Sequence, residues 1–168
     1  LEAEALRQDG KGDEGAALLA DALASRPDEV ASYTALAEFE AVRARYDAAL
    51  AVLARAAEKF PGDVTVSFVA GSVYERQKRF ADAERKFREA LAKDPLHAPT
   101  LNYLGYMLAD RGERIDEAVG YIKRALAADP RNAAYLDSLG WAYFRQNKLD
   151  LAEESLSKAA AQRGRDSA

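Results

Sequence analysis

Among the side chains able to do acid–base, nucleophilic or metal chemistry, no set converges in this sequence. His97 is the only histidine, and there is no cysteine. A zinc site needs several nitrogen, sulfur or carboxylate ligands in one place, and a histidine-based triad needs a nucleophile and an orienting acid. His97 follows Pro95 in a turn with no such cluster nearby, so it reads as a surface residue. Gly10-Lys11-Gly12-Asp13 is glycine-rich, but it lacks the glycine, lysine and hydroxyl order that cradles a phosphate, and no strand precedes it. It reads as a turn between helices. The adjacent acids Asp116-Glu117 and Glu153-Glu154 are placed at the openings of helices, where they complement the dipole and stay solvated. Neither catalysis nor a metal nor any other cofactor is expected.

Composition narrows the partners. The 28 acidic and 24 basic residues give a net charge of -4 and are spread along the chain, so no block of one sign suggests nucleic acid. The absence of cysteine suits the cytoplasm and a bacterial periplasm equally. No apolar run approaches the roughly 20 residues that cross a bilayer, so a soluble chain without direct membrane insertion is expected. The chain opens at Leu1 within helical pattern, which suggests a processed protein or an excised piece of a longer one.

The elements follow from a repeat. Four of the five prolines, Pro27, Pro61, Pro95 and Pro130, are spaced by 34, 34 and 35 residues. Proline inside a helix costs about 3 kcal/mol, so prolines this regular mark helix ends. Between them, Ala70-Gly71-x-x-Tyr74, Leu104-Gly105-x-x-Leu108 and Leu139-Gly140-x-x-Tyr143 open units that continue with Ala83-x-x-x-Phe87, Ala118-x-x-x-Ile122 and Ala152-x-x-x-Leu156. Each unit reads as a pair of helices. A mid-helix glycine costs about 1 kcal/mol against alanine, and close approach of the partner helix is the expected offset.

These motifs at this period resemble the tetratricopeptide repeat. The resemblance implies an all-α, right-handed superhelical solenoid of about five antiparallel helix pairs over residues 1–29, 30–63, 64–97, 98–132 and 133–162, the first incomplete, with a frayed tail at 163–168. It also implies a concave face lined by the first helices, where a protein or peptide ligand binds. Glu40 departs from the pattern where other copies have Tyr74, Leu108 or Tyr143, and Gly15 replaces the alanine of a second helix. Those two units are expected to be the less stable.

If Leu104, Gly105 and Leu108 point into the stack, a second stripe of each first helix faces the groove. It carries Thr34 and Glu38 in the second copy, Phe68, Ser72 and Glu75 in the third, Asn102 and Tyr106 in the fourth, and Asp137, Trp141, Phe144 and Arg145 in the fifth. Relatives that hold the acidic tails of heat-shock chaperones use lysine, arginine and asparagine at these columns. Here no lysine is present, and Glu38, Glu75 and Asp137 would repel a carboxylate. The expected ligand is instead a peptide with an apolar anchor on Tyr106, Trp141 and Phe144 and a polar or basic part passing Glu38 and Glu75. Other readings stand beside this one: Trp141 or Tyr106 as core, Phe68 turned inward, and Asn102 and Asp137 solvated or bonded to neighbouring helices.

Apolar edges near Leu6 and Leu19, and near Leu149 and Leu156, give a rival expectation of end-to-end self-association into a homo-oligomer. The stretch from Leu101 to Phe144 also resembles the repeats of large bacterial envelope lipoproteins, some of which are adaptors for a periplasmic protease.

Overall fold

The computed structural model describes residues 2–166, and the described residues form ten helices. They are α1 (Glu2–Gln8), α2 (Gly12–Ser25), α3 (Val30–Val42), α4 (Tyr46–Lys59), α5 (Val64–Arg76), α6 (Phe80–Lys93), α7 (Ala98–Asp110), α8 (Ile115–Ala128), α9 (Ala133–Arg145) and α10 (Leu149–Asp166). The chain divides into two compact units, residues 1–93 with α1 to α6 and residues 94–168 with α7 to α10. In the first unit the hairpins α1–α2, α3–α4 and α5–α6 pack in sequence, through α2 on α3 and through α3 and α4 on α5. In the second, hairpins α7–α8 and α9–α10 pack through α7 and α8 on α9. Both are helical-repeat stacks of the solenoid class.

One triplet recurs through the hairpins. The second helices carry a small, a large and a small residue at i, i+4 and i+7: Ala49, Leu53 and Ala56 in α4, Ala83, Phe87 and Ala90 in α6, and Ala118, Ile122 and Ala125 in α8. All nine are at most 2% exposed. The small residues let a first helix come close, and each large one contributes about 2 kcal/mol by leaving water. Each proline of the repeat lies two residues after the end of a second helix, where a missing N–H and a fixed φ cost nothing. Asp63 and Asn132 then cap α5 and α9, accepting from Val66 N at 3.0 Å and from Ala134 and Tyr135 N at 3.1 and 3.2 Å.

His97 belongs to the same system. Its Nδ1 lies 2.7 Å from Thr100 Oγ1 and 3.4 Å from Thr100 N, so it is a half-buried cap on α7 rather than a surface side chain. Glu153 and Glu154 lie in the second turn of α10, not at its opening, and Glu154 pairs with Lys158 at 2.6 Å. Helix α10 also runs on through Arg163, Gly164 and Arg165 to Asp166, where the sequence reading placed a frayed tail. Residues 167 and 168 of that tail, like Leu1, lie outside the described residues.

Glu40, at the position of Tyr74, Leu108 and Tyr143, is buried. Its carboxylate accepts from Arg43 Nη1 at 3.2 Å, and the same guanidinium bonds Asp13 of α2. The polar departure is therefore answered by a cation that also ties the first hairpin to α3.

Candidate functional site

The stripe residues meet three different surroundings. Thr34 is 7% exposed and turns its hydroxyl back to Ala31 O at 3.3 Å. Phe68 is half-buried against the core of its unit, its ring 6.1 Å from that of Phe87. Ser72 donates to Val69 O at 2.8 Å, a bond within its own helix. In the first unit this leaves Glu38 and Glu75 as the acidic part of the stripe. Burial among its neighbours pushes the Glu38 carboxyl above the ordinary glutamate range, and the nearby Arg76 guanidinium opposes that shift.

The second unit gathers the aromatics. Tyr106 on α7 is 43% exposed, and Trp141 holds the equivalent position on the packed helix α9. Trp141 stacks on Phe144 with centroids 5.5 Å apart and ring planes 24° from parallel, while Arg145 lies 5.8 Å over the indole. The indole is only partly accessible, and its Nε1 is buried without a hydrogen-bond partner. Arg145 also donates to Asp110 O, which fixes the α9 end against the α7–α8 turn. Asp137 binds Arg163 of α10 through both carboxylate oxygens, the longer contact being 3.2 Å. Asn102 is 8% exposed and its Oδ1 has no partner, so it is neither solvated nor bonded through that atom.

Phe144 differs from its companions. Its equivalents are Ala41 in α3, Glu75 in α5 and Ala109 in α7; the two alanines are 4% and 0% exposed and Glu75 is half-buried, whereas Phe144 is 53% exposed. The same holds on α10, where Leu156 is 44% exposed while its equivalents Leu53 and Ile122 are at most 2%. Both residues occupy stacking positions, which in α3–α4 and α7–α8 are covered by the next hairpin of the same unit. Sequence reasoning missed two partners of the departures it noted: Arg43 beside Glu40, and the capping hydroxyl and amide of Thr100 beside His97. A charge three residues from a buried acid, and a hydroxyl three residues after a pre-helical histidine, were the available signals.

Among the described residues there is no group of three or more histidine or acidic side chains that could hold a metal ion. No helix there is long and apolar enough to cross a membrane.

Models of the tetratricopeptide repeat match residues 6–69, 68–113 and 108–168. The chain belongs to the tetratricopeptide repeat family. Its fold is thus one used as a protein-interaction scaffold, in a family whose members are typically non-catalytic. Among solved structures it is similar to TTC0263, a thermophilic tetratricopeptide protein of Thermus thermophilus, with TM-score 0.80, 22% identity and coverage of 98% of this chain and 89% of that one. It is also similar to MamA, with TM-score 0.73, 18% identity and coverage of 98% and 96%. A MamA chain from Desulfovibrio magneticus RS-1 gives TM-score 0.73, 18% identity and coverage of 99% and 93%. At such identities the likeness concerns the fold. No curated protein matches the chain in sequence.

Proposed function

We propose that this protein is a non-catalytic scaffold that holds a peptide or protein segment on the exposed faces of its first helices. The observation that carries this reading is the aromatic set of the second unit. Tyr106 and Phe144 stay about half exposed, and Phe144 stacks on a Trp141 whose indole N–H is buried and unsatisfied. Large aromatics left open cost solvation, and an apolar anchor laid over them would recover it. Indole and phenol supply wide contact area at little conformational cost, which is why such residues dominate binding energy. In the first unit Glu38 and Glu75 favour a basic segment over an acidic one. An adaptor role in a bacterial envelope complex rests on the resemblance of residues 101–144 to envelope lipoprotein repeats.

The test is selection of a random peptide library on the purified chain, followed by affinity measurement on Trp141→Ala and Tyr106→Ala. Loss of Trp141 is expected to weaken selected peptides by about thirtyfold, the equivalent of about 2 kcal/mol. Unchanged affinity in both variants, with helicity intact, would remove the aromatic face from the binding site.

A second reading has its own observation. Phe144 and Leu156 are exposed at positions whose equivalents in α3–α4 and α7–α8 are covered, so another copy of the chain could continue the stack. Sedimentation at rising concentration should then show oligomers that Leu156→Lys abolishes. A monomer at every concentration counts against it.

A further inference from the structure

The first unit contains a half-enclosed crevice of about 190 Å³ between α4, α5 and α6. Leu50, Leu53, Val66 and Ala70 supply apolar walls, and Ala54, Ala57 and Ser67 complete them with short side chains. Tyr74 and Lys86 are the remaining lining residues.

The repeat itself explains why the space is there. In the second unit several of the same positions, counted from the starts of the helices, are held by larger residues, although Val119 replaces Leu50 and Ser155 replaces Lys86. Leu126 stands for Ala57, Tyr135 for Val66, Leu136 for Ser67 and Leu139 for Ala70. Leu136 and Leu139 are at most 9% exposed there, so the fold at this level is built to bury leucine side chains. In the first unit Ala57, Ser67 and Ala70 at these positions leave the space unfilled. An apolar cavity of about 150 Å³ already admits benzene, so this one has room for a hydrocarbon group.

The polar lining states what the group should carry. No carboxylate lines the crevice, and Lys86 is its only charged side chain. Its side chain is 28% exposed and its ammonium bonds Glu89 at 2.6 Å. An ammonium has three N–H donors, so two remain for a ligand while the Glu89 bond persists. The Arg79 guanidinium is stacked 4.6 Å over the Tyr74 ring and is bonded to Asp82 at 2.7 Å, which leaves Lys86 as the cation for a ligand.

We propose that this crevice binds a short aliphatic carboxylate, its chain against Leu50, Leu53, Val66 and Ala70 and its head on the Lys86 ammonium. The site uses none of the residues assigned to peptide binding, so either assignment can fail without the other.

The test is an NMR titration of the full chain with butanoate, hexanoate and octanoate below their micelle limits, read at the alanine methyls of 54, 57 and 70. Each added methylene from butanoate to hexanoate is expected to tighten binding about fourfold, as burial of a methylene group requires. Ser67→Leu, which installs the residue that the second unit holds at this position, should abolish binding while leaving the melting temperature unchanged or higher. Lys86→Met should weaken hexanoate about tenfold and leave hexanol unaffected. Absence of saturable shifts with all three acids would overturn the proposal. So would hexanol binding as tightly as hexanoate, or Ser67→Leu binding like the parent chain.

Discussion

A β-carbon placed on Gly71 would lie 2.5 Å from Cε1 of Phe87, closer than real carbons approach. Gly105 stands in the same relation to Ile122, at 2.7 Å, and Gly140 to Leu156 Cγ, also at 2.7 Å. The mid-helix glycine and the large residue of the second helix are thus one device, and neither can change alone.

Gly71→Ala is therefore expected to destabilise the protein by up to about 2 kcal/mol. Overpacking costs about 1–3 kcal/mol, and the better helix propensity of alanine returns about 1. Gly120, exposed on α8, has nothing within 4 Å of a built β-carbon, so Gly120→Ala should stabilise by about 1 kcal/mol. Urea denaturation of both variants checks the contrast; equal effects would mean that the Phe87 ring can yield.

The turns inside the hairpins repeat a left-handed residue. Ala44, Lys78 and Asn147 all have φ 59°, and Gly112 holds the equivalent place at 71°. Following each, an N–H closes the end of the first helix, as Arg79 N does on Tyr74 O at 2.9 Å. A side chain in this region costs about 1–2 kcal/mol, partly offset by the greater entropy that glycine loses. Lys78→Gly should accordingly raise stability by about 0.5–1 kcal/mol in thermal or urea unfolding. A loss of stability would show that the lysine side chain makes a contact worth more than the strain.

The fold class was legible because its signals are local and repeated: prolines where helices stop, the mid-helix glycines Gly71, Gly105 and Gly140, and an alanine followed four residues later by a large residue at Ala83, Ala118 and Ala152. The candidate binding face was less so. Sequence periodicity separates the two sides of a first helix by steps of three and four residues, too coarse to distinguish groove from stacking edge. Thr34 and Phe68 lie on the predicted stripe yet turn into their own unit, and Phe144 shares its helix position with the buried Ala41 and Ala109 but also with the stripe residue Glu75.

The Glu40–Arg43 pair offers a test of how a polar departure is tolerated. Their side chains are only 10% and 14% exposed, so removing the cation strands a charge out of water. Arg43→Met should cost about 3 kcal/mol, more than an ordinary surface ion pair. Combining it with Glu40→Leu, the residue type found at Leu108, should recover most of that loss in urea unfolding. If the double variant is as unstable as the single one, the bond from Arg43 to Asp13 carries the stability instead.

Glu38 sets a pH dependence of definite sign. Burial raises its folded-state pKa above the ordinary glutamate value, with Arg76 only partly opposing, so the folded state binds the proton more readily than the unfolded one. The contribution of this group is fully present below the ordinary glutamate value and is lost as pH rises through the raised one. At neutral pH the ionised carboxylate is a small burden, kept small because the side chain still reaches solvent. Glu38→Gln should therefore be slightly more stable than the parent at neutral pH, with the difference closing as the pH falls to the ordinary glutamate value. Melting curves of the two proteins across that range measure it; a difference that widened on acidification would mean that the Arg76 attraction, not burial, governs the carboxyl.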